Sequence, residues 1–270
     1  MFFLNRITKK NIEKEYQKGL PANYLREDIF LVSFPRSGNT WFRFLIANAI
    51  KTHYSIQREV NFFSIQDIIP EVRASEDRFL QNIRYEGIFG TTIPRIIKSH
   101  SYYNPYYLRV FLLVRDPRDV CVSYYHYLRD RQAISQNHQF SDFCKHKQYG
   151  IEAWVKHTES WFLSLRQGQI IQLFRYEDLL KDPEREMSKL MSLLGLEARE
   201  TALKEAVQLS SKEKMKASEN THRSTYLMKS KSKPFVRQGQ VTDGKKLSTT
   251  DRKFIEDASR DIAQKLGYQY

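Results

Sequence analysis

The sequence predicts an α/β fold built on a parallel β-sheet. Four short runs have the composition of buried strands, and they cover residues 29–34, 95–98, 109–114 and 169–174. Segments with apolar side chains at helical spacing lie between and after these runs. Strands that alternate with helical segments in this way are typical of parallel α/β folds.

The helices are predicted from the same spacing and from signals at their ends. The first covers residues 39–51. The second begins near Pro117, because a proline in a first helical turn and Asp119 close behind it are both helix-start signals. Three further helices follow from the same reasoning. One covers residues 151–166, one follows a turn within residues 175–196 and stops near Gly195, and the last covers roughly residues 249–266.

The chain has 270 residues, which is the usual length of one α/β domain. No linker, internal repeat or low-complexity run divides it, so we predict that residues 1–270 form a single domain. From about residue 204 to 246 the hydrophobic pattern weakens, and lysine and serine dominate. We expect long, mobile surface loops with only short helical pieces there.

The composition narrows the ligands and the compartment. A formal net charge of +13 favours anionic ligands, acidic glycans, nucleic acid or a membrane surface, although a basic surface that serves only solubility also explains it. Cys121 and Cys144 are the only cysteines and lack metal-type spacing, which favours reduced thiols without structural zinc. The N-terminus has too few apolar residues for a signal sequence or a membrane span. We therefore predict a cytoplasmic protein.

The stretch "FPRSGNTW", residues 34–41, lies between the first strand and the first helix. A turn at this place exposes unpaired backbone N–H groups at the positive end of a helix dipole, so the main chain can hold an anion. Gly38 allows close approach, Thr40 offers a hydroxyl, and Arg36 adds a fixed positive charge. The match to the triphosphate loop G-x-x-x-x-G-K-[ST] fails, because Pro35 stands in its first part and no lysine precedes Thr40. Alone, the stretch fits a phosphate site or an ordinary turn.

A second element of the same kind follows the third strand. In "VFLLVRDPRDVCVSYYHYL" the strand ends at Arg115 and the next helix carries Ser123. The ends of strands in one parallel sheet point the same way, so these side chains are expected to reach a second phosphate on the ligand held by the first turn. Asp116 follows an apolar strand, as a magnesium ligand does, but we interpret it as a helix N-terminal residue.

These two elements resemble those of the sulfotransferases that use 3'-phosphoadenosine 5'-phosphosulfate (PAPS). Three more stretches are similar to motifs of that family and occur in its order: "KSH" at 98–100, "RYEDLLKDPEREMSKLMSLLG" at 175–195 and "FVRQGQVTDGKK" at 235–246. The motifs span residues 31–246. The resemblance implies a P-loop-like, three-layer fold with a central parallel sheet of about five strands and helices on both faces.

The resemblance also implies a role for each matching residue. Arg36, Ser37, Gly38, Asn39 and Thr40 are expected to cradle the 5'-phosphate and the sulfuryl group. Trp41 and Tyr176 are expected beside the adenine, and the 3'-phosphate is expected to contact Arg115, Ser123, Arg237, Gln238 and Gly239. Lys98 and His100 face the transferring group. His100 suits the role of base, because its unperturbed pKa lies near neutrality, while Arg36 and Lys98 offset charge on the leaving oxygen. No metal is required.

The sequence departs from the family pattern at several positions. Arginine stands at Arg36 where cytosolic members usually have lysine, so help to the leaving group is expected to be electrostatic only. Gln238 replaces a lysine, which removes one charge that contacts the 3'-phosphate, and Gly244 stands where the family commonly has tryptophan. Either the affinity for the donor is lower or neighbouring lysines compensate. The dimerisation signature K-x3-T-V-x3-E is not intact, because Thr250 and Phe254 replace its valine and glutamate. We therefore predict no dimer of that type and leave the oligomeric state open.

The sequence does not identify the acceptor. A small molecule or a glycan bearing a hydroxyl fits, and nucleic acid is not expected. The stretch "SYYNPYY", residues 101–107, is either an aromatic platform for a ring or a packed loop, and Trp154 and Trp161 are predicted in the core. Two other functions compete with sulfuryl transfer. One is an ATP- and magnesium-dependent phosphotransferase, and the other is a non-catalytic binder of anionic glycans.

Overall fold

A computed structural model describes residues 16–17, 19–21, 23–71, 87–163, 168–226 and 247–270. Within these ranges the sheet has four parallel strands in the order β2-β1-β3-β4. The strands are β1 (Ile29–Ser33), β2 (Ile96–Ser99), β3 (Arg109–Val114) and β4 (Ile170–Arg175). In register, Leu31 of β1 lies between Lys98 and Phe111. All four strands predicted from the sequence are therefore present.

The expected count of about five strands is wrong for the described part of the chain. Beyond β2 the only further pairing described there is an isolated bridge between Glu71 and Lys98. The Lys98 N–H donates to the Pro70 carbonyl at 2.7 Å. Proline has no N–H to donate to a ladder, which limits pairing at this edge. The fifth strand came from the family resemblance, and none of the four strand-like runs in the sequence corresponds to it.

Ten α-helices and one 3₁₀ turn (Ile88–Gly90) lie in the described ranges. The helices are α1 (Asn39–His53), α2 (Ile65–Ile68), α3 (Pro117–Asp130), α4 (Phe140–Cys144), α5 (Ile151–Leu163), α6 (Tyr176–Lys181), α7 (Pro183–Leu193), α8 (Glu200–Leu209), α9 (Lys212–Tyr226) and α10 (Thr249–Lys265). None of these helices is both long enough and apolar enough to cross a membrane.

The sheet is buried on both faces, which gives the expected three layers. Ile29 and Leu31 of β1 belong to a core with residues of α1, α7 and α8, whereas Phe30 and Val32 belong to a core with residues of α3, α5 and α10. Alternate side chains of a strand point to opposite faces, so each face of β1 supports a layer of helices. Trp154 and Trp161 are fully buried in the second core, as predicted.

The loop prediction for residues 204–246 is wrong as far as residue 226. Helices α8 and α9 occupy most of residues 204–226, and residues 227–246 fall outside the described ranges. Leu203, Ala206 and Met215 are buried in the first core, so the few apolar residues suffice to dock these helices. Lysine, glutamate and alanine are also good helix formers, which a search for hydrophobic periodicity does not register.

Candidate functional site

The turn between β1 and α1 has an unusual backbone. Arg36 and Gly38 both have left-handed conformations, with φ of 71° and 98°. A Cβ atom added to Gly38 would lie 2.3 Å from the Tyr176 ring, so both the backbone angle and the space require glycine. The first α1 bond runs from the Phe42 N–H to the Gly38 carbonyl. The N–H groups of residues 39–41 thus lack acceptors within the helix and are available to an anion.

Two side chains of the turn, Asn39 and Ser37, differ in their hydrogen bonds. The Asn39 amide donates to Ser33 Oγ at 3.0 Å and to the Leu31 carbonyl at 3.4 Å, so it fixes the start of α1 to the end of β1. The Ser37 hydroxyl is buried and has no hydrogen-bond partner among the described residues. A buried hydroxyl without a partner is costly. Ser37 is therefore the turn side chain that a ligand oxygen would satisfy.

The structure brings the element that follows β1 into contact with the element that follows β3. Arg36 Nε donates to Ser123 Oγ at 3.3 Å, across 87 residues of chain. Its guanidinium also lies 4.7 Å from the centroid of the Tyr127 ring. Arg115, which follows β3, donates from Nη1 to the Arg36 carbonyl at 3.5 Å. Two guanidinium groups consequently lie at adjacent strand ends, where they complement a ligand with two anionic groups.

Arg115 and Tyr176 form one packed unit. The Arg115 guanidinium lies 4.5 Å from the Tyr176 ring centroid and pairs with Asp119 Oδ2 at 3.4 Å. Tyr176 in turn meets the Trp41 ring edge-on, at 5.7 Å between centroids. Burial raises the pKa of Tyr176, so its phenol stays protonated. The two rings expected beside adenine are therefore neighbours, next to the glycine of the turn.

His100 lies at the end of β2 in a defined tautomer. Its Nδ1 is 2.6 Å from the Ser33 carbonyl oxygen. Since a carbonyl only accepts hydrogen bonds, Nδ1 carries the proton and Nε2 keeps its lone pair. Burial, followed by the positive charge of Lys98, lowers the pKa of His100 to about 3. The ring is therefore neutral near pH 7 and can accept a proton at Nε2.

Lys98 has an acidic partner that no sequence motif indicates. Its Nζ lies 3.0 Å from Glu71 Oε1. Nothing in the sequence distinguishes Glu71 from the other 30 Asp and Glu residues. Glu71 reaches Lys98 only through the isolated bridge at the β2 edge, and no local pattern predicts that bridge. A lysine and a neutral histidine thus lie two residues apart on the carboxyl end of β2, with a carboxylate beside them.

A cluster of aromatic rings contains His157, which lies close enough to His100 to contribute to lowering its pKa. The buried His157 ring meets Phe34 and Tyr102 edge-on, at 5.7 Å and 5.5 Å between centroids. In "SYYNPYY", one tyrosine packs in the core and another is exposed, so a packed loop and an aromatic platform each describe part of the stretch. Tyr107 is buried and stacks on Phe30 in the core, whereas Tyr102 is 51% exposed. Tyr102 is therefore the tyrosine of this stretch best placed to contact a ligand ring.

Some predicted residues cannot be compared with the structure. Arg237, Gln238 and Gly239, together with Gly244, lie outside the described residues. Within the described ranges, no group of three or more His, Cys, Asp or Glu side chains is arranged to hold a metal ion. Asp116 caps α3, where its carboxylate accepts from the Arg118 N–H, as interpreted from the sequence.

Fold and site together define an α/β protein with a turn at the carboxyl edge of its sheet whose backbone N–H groups are open to an anion. Residues 26–267 match the family model of the sulfotransferase domain. The chain belongs to the sulfotransferase family, which confirms the resemblance found in the sequence. The protein is thus a sulfotransferase, and its motifs imply PAPS as the sulfuryl donor.

Curated relatives agree with this assignment over most of the chain. Sulfotransferase 1E1 of Bos taurus is 28% identical over 236 residues, which are 81% of this chain and 77% of that protein. Sulfotransferase 1C2 of Oryctolagus cuniculus is 28% identical over 263 residues, which are 89% of this chain and 87% of that protein.

Solved structures share the fold at lower identity. Retinol dehydratase, crystallised with androsterone and the inactive cofactor PAP, is 20% identical with a TM-score of 0.67, over 95% of this chain and 88% of that one. The mouse sulfotransferase SULT7A1, complexed with PAP, is 18% identical with a TM-score of 0.65, over 94% of this chain and 88% of that one. The described fold is thus that of the sulfotransferases.

Proposed function

We propose that the protein transfers a sulfuryl group from PAPS to a hydroxyl of a small organic acceptor and releases adenosine 3',5'-bisphosphate (PAP). The observation that carries this proposal is the convergence at one sheet edge of two phosphate-binding elements and a neutral histidine. Arg36 of the first element contacts Ser123 of the second, and His100 is bonded to Ser33 at the start of the same turn.

The donor is proposed to lie along this edge with a phosphate at each end. The N–H groups of residues 39–41, the Ser37 hydroxyl and Arg36 hold the 5'-phosphosulfate, and Thr40 adds its hydroxyl. Arg115 and Ser123 hold the 3'-phosphate, joined by Arg237, Gln238 and Gly239 on the basis of the sequence motif. Trp41 and Tyr176 contact the adenine with their adjacent rings.

The transfer step needs a base, an in-line approach and positive charge at the leaving oxygen. His100 Nε2 takes the proton of the acceptor hydroxyl as its oxygen forms a bond to sulfur. The bond between sulfur and the 5'-phosphate oxygen breaks, and its electron pair stays on that phosphate. Arg36 and Lys98 offset the resulting charge. Arg36 acts through charge alone, because its pKa is too high for it to donate a proton.

The low pKa of His100 belongs to the site without its donor. An adjacent anion favours the imidazolium form and raises a histidine pKa. The negative charges of PAPS therefore oppose the effect of burial and of Lys98, which lower the pKa of His100 to about 3. Donor binding would in this way make the histidine a stronger base at the moment when it is needed.

The acceptor is proposed to be a small molecule with an apolar ring. Tyr102, which is exposed and meets the His157 ring edge-on, offers an aromatic surface to a ligand, and such a surface favours flat apolar ligands. Related structures hold ligands of this chemistry, since retinol dehydratase has been crystallised with androsterone and with retinol. The phosphotransferase and the glycan binder are not favoured, because neither accounts for the family assignment.

The cytoplasm is the compartment we propose. Cys121 and Cys144 are both free and buried, and burial raises the pKa of Cys144 to about 11. Such thiols are unreactive and are typical of proteins that fold in a reducing environment. A single domain over residues 1–270 remains our proposal as well.

Two measurements test the function. PAP binding is measured by calorimetry, and turnover is measured with labelled PAPS over a panel of phenols, steroids and aliphatic alcohols. The His100→Ala variant should lose turnover, whereas His53→Ala should not, because His53 lies at the opposite end of α1, about 20 Å from the turn. The proposal fails if PAP does not bind, or if His100→Ala turns over every accepted substrate at the normal rate.

A further inference from the structure

The ion pair between Lys98 and Glu71 is shielded from solvent. The two side chains are only 11% and 15% exposed, and the Nζ–Oε1 distance is 3.0 Å. Another pair in the same region, Arg58 with Asp67, has the same distance but side chains that are 40% and 58% exposed. Charges that are removed from water interact more strongly than charges on the surface. The pair at Lys98 is therefore a strong local interaction.

Main-chain contacts fix this carboxylate opposite the lysine. Glu71 and Lys98 face each other across a parallel bridge, and the Lys98 N–H donates to the Pro70 carbonyl at 2.7 Å. The backbone thus places Glu71 and Lys98 side by side at the sheet edge, where their side chains form the ion pair. A carboxylate held in this way next to the reaction centre of an enzyme with a polyanionic donor requires an explanation, since it repels that donor.

We propose that Glu71 is a positioning residue that holds Lys98 in an ion pair when the donor is absent. Donor binding exchanges this partner for the phosphosulfate, and release of the product restores the pair. This inference rests on the proposed function. The carboxylate competes with the donor for Lys98, so part of the donor's binding free energy is spent on the exchange. Glu71 accordingly lowers the affinity for the donor and for PAP.

The test compares two variants that remove the same charge. Glu71→Gln abolishes the pair at Lys98, whereas Asp67→Asn abolishes the exposed pair with Arg58, and both raise the net charge by one. PAP binding is measured by calorimetry at fixed salt. Because one opposing interaction is removed, we expect Glu71→Gln to bind PAP about tenfold more tightly than the unsubstituted protein. Asp67→Asn should change the affinity less than about twofold, since its charge is screened.

A double variant shows whether Glu71 acts through the lysine. In a Lys98→Ala background, Glu71→Gln should give a much smaller gain in PAP affinity than it gives when Lys98 is present, because there is no lysine to exchange. A gain of the same size in both backgrounds overturns the proposal, since it means that Glu71 acts only by direct repulsion of the ligand. A Glu71→Gln variant that binds no more tightly than Asp67→Asn also overturns it. If Glu71→Gln does not fold, Glu71→Asp, which lengthens the pair, decides: tighter binding supports the exchange and unchanged binding excludes it.

Failure of the proposed function and failure of the proposed exchange give different results. If the unsubstituted protein does not bind PAP, the proposed function fails. If it binds PAP and the Glu71 variants behave as Asp67→Asn does, only the exchange fails. A gain of affinity is also a result that loss of structure does not produce.

Discussion

The two ends of the site are held in different ways. At the phosphate end, formed by Gly38, Arg115 and Tyr176, contacts are tight: a Cβ on Gly38 would overlap the Tyr176 ring, and Arg115 packs 4.5 Å from that ring's centroid. At the transfer end, formed by Lys98 and His100, polar contacts dominate, with a carboxylate and with a carbonyl. In terms of the proposed function, this difference corresponds to a preorganised end that binds the donor and a transfer end whose groups are proposed to change charge or partner.

The phosphate end is also braced from behind. Glu177, next to Tyr176, accepts the Asp116 N–H and the Tyr268 hydroxyl, each at 2.9 Å. Asp116 is next to Arg115, so one partly buried carboxylate connects the backbone beside Arg115 and the backbone beside Tyr176 to the C-terminal segment. A group with satisfied partners on both sides holds its neighbours rigidly. No bracing of this kind was predicted from the sequence.

Breaking the transfer end alone should give the largest effect. His100→Ala removes the proton acceptor, and we expect turnover with labelled PAPS to fall about 10²–10⁴-fold. The affinity for PAP should stay within about twofold, because the phosphate end is untouched. A loss of PAP affinity as large as the loss of turnover would show that the two ends are not separable.

Arg36 lies where the two ends meet, and its replacement should affect both. Arg36→Ala removes a charge beside the leaving oxygen and a contact to Ser123, so we expect turnover to fall about 100-fold. Folding should change little, because arginine and alanine carry a similar cost at the left-handed φ of 71°. Arg36→Lys should restore most of the turnover. If it does not, charge is not what Arg36 supplies.

Gly38→Ala should break the phosphate end. The added methyl group meets the Tyr176 ring, and the backbone has a φ of 98°. We therefore expect the affinity for PAP to fall at least about tenfold. The free energy of unfolding should fall by about 1–3 kcal/mol. Gly195→Ala is a matched control, because Gly195 has φ of 74° and nothing within 4 Å of a Cβ. It carries the backbone cost alone, about 1 kcal/mol, and should bind PAP normally. Equal PAP affinities for the two variants would contradict the packing argument.

The sequence predicted the parts of this site that depend on local pattern. The turn at 34–41, the strand ends at Lys98 and Arg115 and the cap at Asp116 all follow from residue types at fixed spacings. Contacts between distant segments did not follow from it. Glu71 reaches Lys98 through a single bridge, and Glu177 reaches Tyr268 across 91 residues. Long-range pairs of this kind depend on how the layers pack, and no local pattern encodes that packing.

The smallest effect is expected in the pH dependence of the free energy of unfolding, which tests the buried His157. Burial lowers the pKa of His157 to about 4, from an ordinary value near 6.5. Between these two values the unfolded chain binds a proton that the folded protein excludes, so stability is full above about pH 6.5 and falls as pH decreases toward 4. At pH 5 this amounts to about 1–2 kcal/mol.

The measurement is urea unfolding of the unsubstituted protein and of His157→Asn at pH 7.5 and pH 5. His157→Asn should be the less stable protein at pH 7.5, because a buried ring is lost between Phe34 and Tyr102. Its further loss of stability on going to pH 5 should be about 1–2 kcal/mol smaller than that of the unsubstituted protein, since no buried imidazole has to be kept neutral. His100, with its pKa lowered to about 3, contributes equally in both proteins and cancels from the comparison. Equal losses in the two proteins would mean that His157 takes up a proton in the folded protein as readily as in the unfolded chain, which would contradict the lowered pKa.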